Sequence, residues 1–329
     1  MTHRIGLLFP GQGAQSVGML GDFARSHPVV RSTFDEASTV LGYDLWQLAQ
    51  EGPLEKQKET EFTQPLMLAS GVSCARAWLE TADMPVAVVA GHSVGEYAAL
   101  VIAGALDFAD AVALVKQRAT LMAASAPAGT SGMAALIGLD DEAAVELCSE
   151  VSASRRSDAD ASIAGSAIVE AVNFNAPGQV VISGHLSAIE QASEVARERG
   201  ARKVMPLPVS VANHSSLMRT AGDKLVESID ATNWKKPAVP VVQNVSGSTA
   251  DNLDDLLTNL RSHVYSPVKW VDSVMHMIDK HEVDQFIELG AGKVLTGMGK
   301  RIAKGHPVSP VFDADTLQQA QVALNEVST

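Results

Sequence analysis

The chain has 329 residues, of which 46% are hydrophobic and 19% charged, the balance of a soluble globular protein with one large domain and a smaller one. Its formal net charge of −13 argues against nucleic acid as a partner, although it leaves room for a local basic patch. The two cysteines, Cys74 and Cys148, lack paired spacing, which argues against a disulfide framework or a cysteine-based metal site. No signal-peptide core follows Met1-Thr2-His3-Arg4 and no apolar run is long enough to span a membrane, so the expected compartment is the cytoplasm.

In chain order, Ile5-Gly6-Leu7-Leu8-Phe9 reads as a buried strand, ended by the glycine-rich loop Pro10-Gly11-Gln12-Gly13-Ala14-Gln15. The glycines lack dinucleotide spacing and no P-loop lysine follows, which excludes a nucleotide-binding reading. A loop at the carboxyl end of a strand is still where α/β proteins place ligands. Residues 20–50 read as helical with breaks near Pro28 and Gly42, and 65–82 as a helix with Pro65 near its start.

The stretch that organises the chain comes next. Val86-Ala87-Val88-Val89-Ala90 is a strand pattern, Gly91-His92-Ser93-Val94-Gly95 a G-x-S-x-G turn, and Glu96-Tyr97-Ala98-Ala99-Leu100 a good helix former. Strand, G-x-S-x-G and helix together make a nucleophile elbow. Its glycines relieve crowding where a Cβ would clash, and amides at the start of the helix can stabilise negative charge developing beside Ser93. A second helix is predicted over 108–126, with Val112, Val115, Ala119 and Met122 on its buried face. Arg118 lies on this helix and, taken alone, reads as a solvated charge.

From about Gly132 the pattern is strand (133–138), helix (140–151, with Asp140 as cap), strand (168–174), strand (179–183), helix (185–200) and strand (202–207). That order predicts a ferredoxin-like insert over about 130–208. The Ser-, Ala- and Asp-rich stretch 152–166 reads as a surface loop. The flanking segments, 1–129 and 209–329, alternate strands (239–245, 284–288, 308–312) with helices (215–229, 253–263, 271–280, and one ending at 303). This predicts a large α/β-hydrolase-like domain with a mostly parallel sheet.

A serine hydroxyl needs an adjacent base to act as a nucleophile. Among the nine histidines, His92 neighbours Ser93 but should point away from the elbow, while His185, His276 and His281 sit in or beside helices elsewhere. His214 stands where the chain re-enters the large domain and is the best-placed base. No carboxylate is obviously placed to orient it, but a backbone carbonyl can serve, because the requirement is a fixed tautomer and ring position.

At this point the residues resemble the malonyl-CoA:acyl carrier protein transacylases of fatty-acid synthesis. The resemblance runs over nearly the whole chain. It rests on Phe9-Pro10-Gly11-Gln12-Gly13, Gly91 to Tyr97, Arg118, Asn173-Phe174-Asn175-Ala176-Pro177-Gly178-Gln179, Leu207-Pro208-Val209-Ser210 with His214, and Glu288 to Gly297. It implies ping-pong acyl transfer, in which Ser93 is the nucleophile and His214 the base. The backbone amides of Gln12 and Val94 would form the oxyanion hole, and Arg118 would pair with the substrate carboxylate through its planar fork. His263 stands where the family usually has glutamine, at the position whose carbonyl orients the base. Asn213 stands where serine is more usual, and it joins His92 as a candidate pocket residue.

The resemblance implies a coenzyme A thioester as substrate, no tightly bound cofactor or metal, and an acyl carrier protein as partner; a monomer is expected. An acidic carrier needs a basic landing surface, for which Arg202, Lys203, Lys300, Arg301 and Lys304 are candidates. A serine hydrolase or thioesterase using the same elbow is one alternative, and a trans-acting acyltransferase of a polyketide synthase is another. Arg118 weighs against the first, since a neutral acyl ester would leave its charge unpaired.

Overall fold

The computed structural model describes residues 4–82, 85–127, 129–157, 167–209 and 211–326. In chain order the strands are β1 (Ile5–Phe9), β2 (Val86–Gly91), β3 (Ser131–Ile137), β4 (Val169–Ala176), β5 (Gln179–His185), β6 (Lys203–Pro206), β7 (Val241–Gln243), β8 (Ser248–Thr249), β9 (Gln285–Leu289) and β10 (Val308–Val311). They form a six-stranded sheet, ordered β10-β9-β1-β2-β7-β8, and a four-stranded sheet, ordered β4-β5-β3-β6. In the larger sheet every pairing is parallel except that of β8 with β7. All pairings in the smaller sheet are antiparallel.

The central strands β1 and β2 are continuous apolar runs because helices cover both faces of the sheet. Alternate side chains go to opposite sides. Ile5, Leu7, Phe9 and Val89 join the main core, with the helix Thr60–Thr81 and the elbow helix Gly95–Ile102. Leu8, Val88 and Ala90 join a second core with Trp270, Val274 and Met277 of the helix Trp270–His281. The smaller sheet has its own core, built with the helices Asp141–Ser157 and Leu186–Glu198. The two bodies are stitched together at β4, where Phe174 N–H donates to the Val268 carbonyl at 3.0 Å and Val268 N–H to that of Val172 at 2.8 Å.

Several elements differ from their sequence-based bounds. The helix holding Pro65 starts at Thr60, so Pro65 lies inside it. Thr60, Thr63 and Gln64 of the preceding turn are buried. The helix capped by Asp140, whose Oδ1 accepts from Ala143 N–H at 2.8 Å, continues to Ser157. It is held there by Ser152, whose hydroxyl donates to the Val169 carbonyl at 2.9 Å and accepts from Val169 N–H at 3.0 Å. Residues 152–157 are therefore helix and not loop; 158–166 lie outside the described residues, as does Ser210. A C-terminal helix, Ala314–Glu326, adds to the elements expected from the sequence. Its Leu317, Ala320 and Leu324 pack on the main core at helical spacing. No described helix is long and apolar enough to cross a membrane.

Candidate active site

Ser93 sits at the carboxyl end of β2, in the left-handed region at φ 52°. The elbow is tight enough that a Cβ on Gly91 would lie 2.0 Å from the Gly95 backbone, and one on Gly95 would lie 2.2 Å from the Phe9 carbonyl oxygen. Only glycine fits at either position. The loop after β1 approaches just as closely: a Cβ on Gly11 would lie 2.5 Å from the His92 carbonyl oxygen. That approach brings Gln12 into the same small cavity, of about 80 Å³, as Ser93 and Val94.

The Ser93 hydroxyl donates to His214 Nε2 at 2.7 Å. On the other side of the ring, Nδ1 lies 3.1 Å from the carbonyl oxygens of both His263 and Ser266. Both neighbours can only accept, so Nδ1 carries the proton and Nε2 offers its lone pair to Ser93. His214 is itself in the left-handed region at φ 65°, and its N–H is tied to the Val264 carbonyl at 3.0 Å. Burial, and then the charge of Arg118 and the neighbouring His92, push its pKa down to about 3. The imidazole is therefore neutral and able to take a proton.

Arg118 is 1% exposed, which corrects its reading as a solvated charge. One Nη donates to Gln64 Oε1, the other donates to Ser93 Oγ at 3.3 Å, and the guanidinium lies 5.7 Å from the centre of the Tyr97 ring. Its Nε has no hydrogen-bond partner among the described residues. A buried cation beside a nucleophile is favourable ground for an anionic group.

His92 does not turn away from the site as the elbow geometry suggested. It borders the Ser93 cavity, with Nε2–H donating to Asn175 Oδ1 at 2.7 Å and its ring edge-on to Trp270 at 5.3 Å. Asn213 lines the same cavity, and its Oδ1 is buried with no partner among the described residues. His263 meets His214 through its main-chain carbonyl, and its ring is held neutral by burial and the charge of Arg118.

Three residues escape a reading of the sequence: Gln64 under Arg118, Ser266 beside His214, and Asn244; Asn175, beneath His92, belongs to a motif singled out above but with no role assigned to it. Asn244 Oδ1 accepts from Ser93 N–H at 2.6 Å. Glu288, in β9 and at the start of the motif that follows it, does not reach the site. Its carboxylate accepts from the N–H groups of Leu295 and Thr296 at 2.9 and 2.6 Å and caps the helix Val294–Ile302. Of the candidate landing cations, Arg301 is committed to the β4–β5 hairpin, donating to Gln179 Oε1 and the Pro177 carbonyl at 2.6 Å each. Arg202, Lys203, Lys300 and Lys304 are exposed.

The arrangement can perform acyl transfer through a serine ester on an acyl group that carries a negative charge. Known proteins agree with that chemistry. The acyl transferase domain family matches residues 7–322. The malonyl CoA-acyl carrier protein transacylase of Escherichia coli K12 is 46% identical over 295 residues, covering 90% of this chain and 91% of that protein. The crystal structure of malonyl-CoA:acyl carrier protein transacylase from Xanthomonas oryzae superimposes with a TM-score of 0.91 at 40% identity, covering 98% of this chain and 99% of that one. A malonyl-transacylase solved in complex with a type II polyketide-synthase acyl-carrier protein is equally similar in fold, with a TM-score of 0.91 at 41% identity and coverage of 97% and 99%. The chain belongs to the acyl transferase domain family and, within it, to the malonyl-CoA:acyl carrier protein transacylases.

Proposed function

We propose that the protein moves a malonyl group from malonyl-CoA to the phosphopantetheine thiol of an acyl carrier protein, through an ester on Ser93, and so supplies fatty-acid elongation. The observation that carries this reading is the buried guanidinium of Arg118, 3.3 Å from Ser93 Oγ. In a malonyl group the carboxylate carbon lies only about 2.5 Å from the thioester carbonyl carbon, two C–C bonds away. A cation beside the nucleophile therefore suits a short 1,3-dicarbonyl group and leaves a neutral acyl ester without a partner for the charge. The small Ser93 cavity, about 80 Å³, suits an acyl group of that size.

In the first half-reaction His214 Nε2 accepts the Ser93 hydroxyl proton as Oγ bonds to the thioester carbonyl carbon. The oxygen takes the developing negative charge and rests on the backbone amides of Gln12 and Val94. The C–S bond then breaks, and the coenzyme A sulfur leaves with the proton from His214. The second half-reaction runs the same steps in reverse order, with the carrier thiol attacking the Ser93 ester. The carbonyls of His263 and Ser266 hold the tautomer throughout, and Arg118 positions the acyl group through its carboxylate.

The same reading divides the chain into a hydrolase-like catalytic domain, 1–129 and 209–329, and a ferredoxin-like insert, 130–208. The two separate sheets and the separate core of the smaller one support that division. It also includes a monomeric, cytoplasmic enzyme with no tightly bound cofactor. Intact-mass measurement tests the function. Incubation with malonyl-CoA should add one malonyl group at Ser93, and added carrier protein should remove it and gain the same mass. Equal labelling by acetyl-CoA, or loss of the label to water with none appearing on the carrier, would overturn the assignment.

A further inference from the structure

Beneath the elbow lie two fully buried polar side chains, Asn244 and Glu96, that the acyl-transfer steps do not use. Asn244 follows β7, the strand beside β2. Its side chain spans the elbow: Oδ1 accepts from Ser93 N–H at 2.6 Å, and Nδ2 donates to the Gly91 carbonyl at 2.6 Å. Only one orientation of the carboxamide satisfies both partners. The backbone of Asn244 is fixed in turn by Glu96, the second residue of the elbow helix, whose Oε2 accepts from Asn244 N–H at 2.7 Å. Both residues are 0% exposed.

The network also reaches the base. His263, whose carbonyl orients His214, has its Nε2 3.4 Å from Asn244 Oδ1 and 3.8 Å from Glu96 Oε2. One carboxamide thus touches both the peptide that carries the nucleophile and the residue that orients its base. Ser93 holds a left-handed conformation that serine disfavours, so something must hold it there. Because Ser93 N–H is spent on Asn244, the free amide facing the cavity has to come from the next residue.

We infer that Asn244 is a positioning residue for acyl transfer, clamping the elbow so that Ser93 Oγ keeps its line to His214, with Glu96 as the anchor of the clamp. This deepens the acyl-transfer reading and rests on it for the substrate, but not for the role of the clamp. Both half-reactions pass through Ser93 Oγ, so a loosened elbow slows both, whereas the binding of malonyl-CoA is left largely alone.

The test measures rate per reactive site. A fluorophosphonate, which reacts with activated serines of any acyl specificity, counts the competent Ser93 sites by intact mass and reports their reactivity. Quenched-flow acylation by malonyl-CoA is then divided by that count. Asn244→Ala should lower both rates per site about 100-fold, the size expected when a reacting atom is misplaced by about an ångström, with KM for malonyl-CoA nearly unchanged. Glu96→Ala should also lose rate, and Glu96→Gln, whose amide oxygen can still accept from Asn244 N–H, should restore most of it. Asn244→Asp keeps the shape and the acceptor but loses the donor to Gly91. It should lose about tenfold, and it decides the matter if the alanine variant does not fold. A rate per site within about threefold of the unsubstituted protein in the folded variants, whatever their melting temperature, overturns the role of Asn244. If the unsubstituted protein reacts with the fluorophosphonate but not with malonyl-CoA, the malonyl reading falls, while the probe rates still decide the clamp.

Discussion

If Arg118 pairs with the malonyl carboxylate as proposed, replacing it by alanine removes the group that distinguishes malonyl from neutral acyl chains, and the structure sets the scale. The guanidinium is 1% exposed and keeps one Nη directed at Ser93 Oγ. Leaving a buried charge without its partner costs about 3–5 kcal/mol. At 1.36 kcal/mol per tenfold, kcat/KM for malonyl-CoA should therefore fall by about 160- to 5,000-fold. Acetyl-CoA has no carboxylate to lose, so only the long contact from Arg118 to Oγ is removed, at about 1 kcal/mol. The malonyl-to-acetyl ratio of kcat/KM should then drop by about 30- to 900-fold. The ratio is the informative quantity, because any general damage to the site divides out.

The assay is initial-rate transfer to carrier protein from each thioester. The pH profile supplies an independent check. Arg118 is the second-largest cause, after burial, of the low pKa of His214. A base works in its unprotonated form, so losing that positive charge must raise the pKa and move the acidic limb of kcat/KM to higher pH. Equal loss for both thioesters with an unmoved acidic limb would refute the carboxylate role and its electrostatic basis together.

Other outcomes follow from the same geometry. Ser93→Ala should abolish malonyl labelling seen by intact mass, and a covalent adduct mapped to another residue would remove Ser93 as nucleophile. Gly95→Ala should destabilise by about 3 kcal/mol or more in denaturant unfolding, because its Cβ would meet the Phe9 carbonyl oxygen, a backbone atom that cannot swing aside; a near-native midpoint would contradict that packing. The folded-state pKa values of His92, His214 and His263 are all lowered from 6.5 by burial. The unfolded chain therefore binds more protons below that pH, and stability should fall on acidification from about pH 6.5 toward pH 3. His263→Gln keeps the carbonyl that orients His214 while removing one of these rings. It should flatten the acid-side loss of melting temperature and keep kcat/KM within about tenfold; an unchanged slope would show that His263 does not titrate on unfolding.

Much of the site is legible in the sequence, because an elbow is a local object. Its strand, its two glycines and its helix are contiguous, and steric exclusion at Gly91 acts between atoms a few residues apart, although at Gly95 it comes from the Phe9 carbonyl on the neighbouring strand. Arg118 is harder. Its helix is readable from Val112, Val115, Ala119 and Met122, yet an arginine taken alone reads as solvated even though this one stands three residues after Val115 and four before Met122, on the same face. That placement is the available signal for its burial. Gln64, Ser266 and Asn244 leave no comparable trace, because a polar residue beside an apolar run looks the same whether it caps, solvates or buries.

The chain by itself determined the alternation of strands and helices, the antiparallel insert pattern, the reactive serine and the candidate base, since periodicity and turn chemistry act over short range. Tertiary structure alone decided what lies between distant segments: the sheet order that brings β1 and β2 side by side, the turn that sets His214 Nε2 2.7 Å from Ser93 Oγ across 121 residues, and the burial that holds the Arg118 guanidinium beside Ser93 and keeps His214 neutral. Desolvation and hydrogen-bond geometry depend on every atom around a group, and those atoms come from elements whose proximity no local pattern encodes.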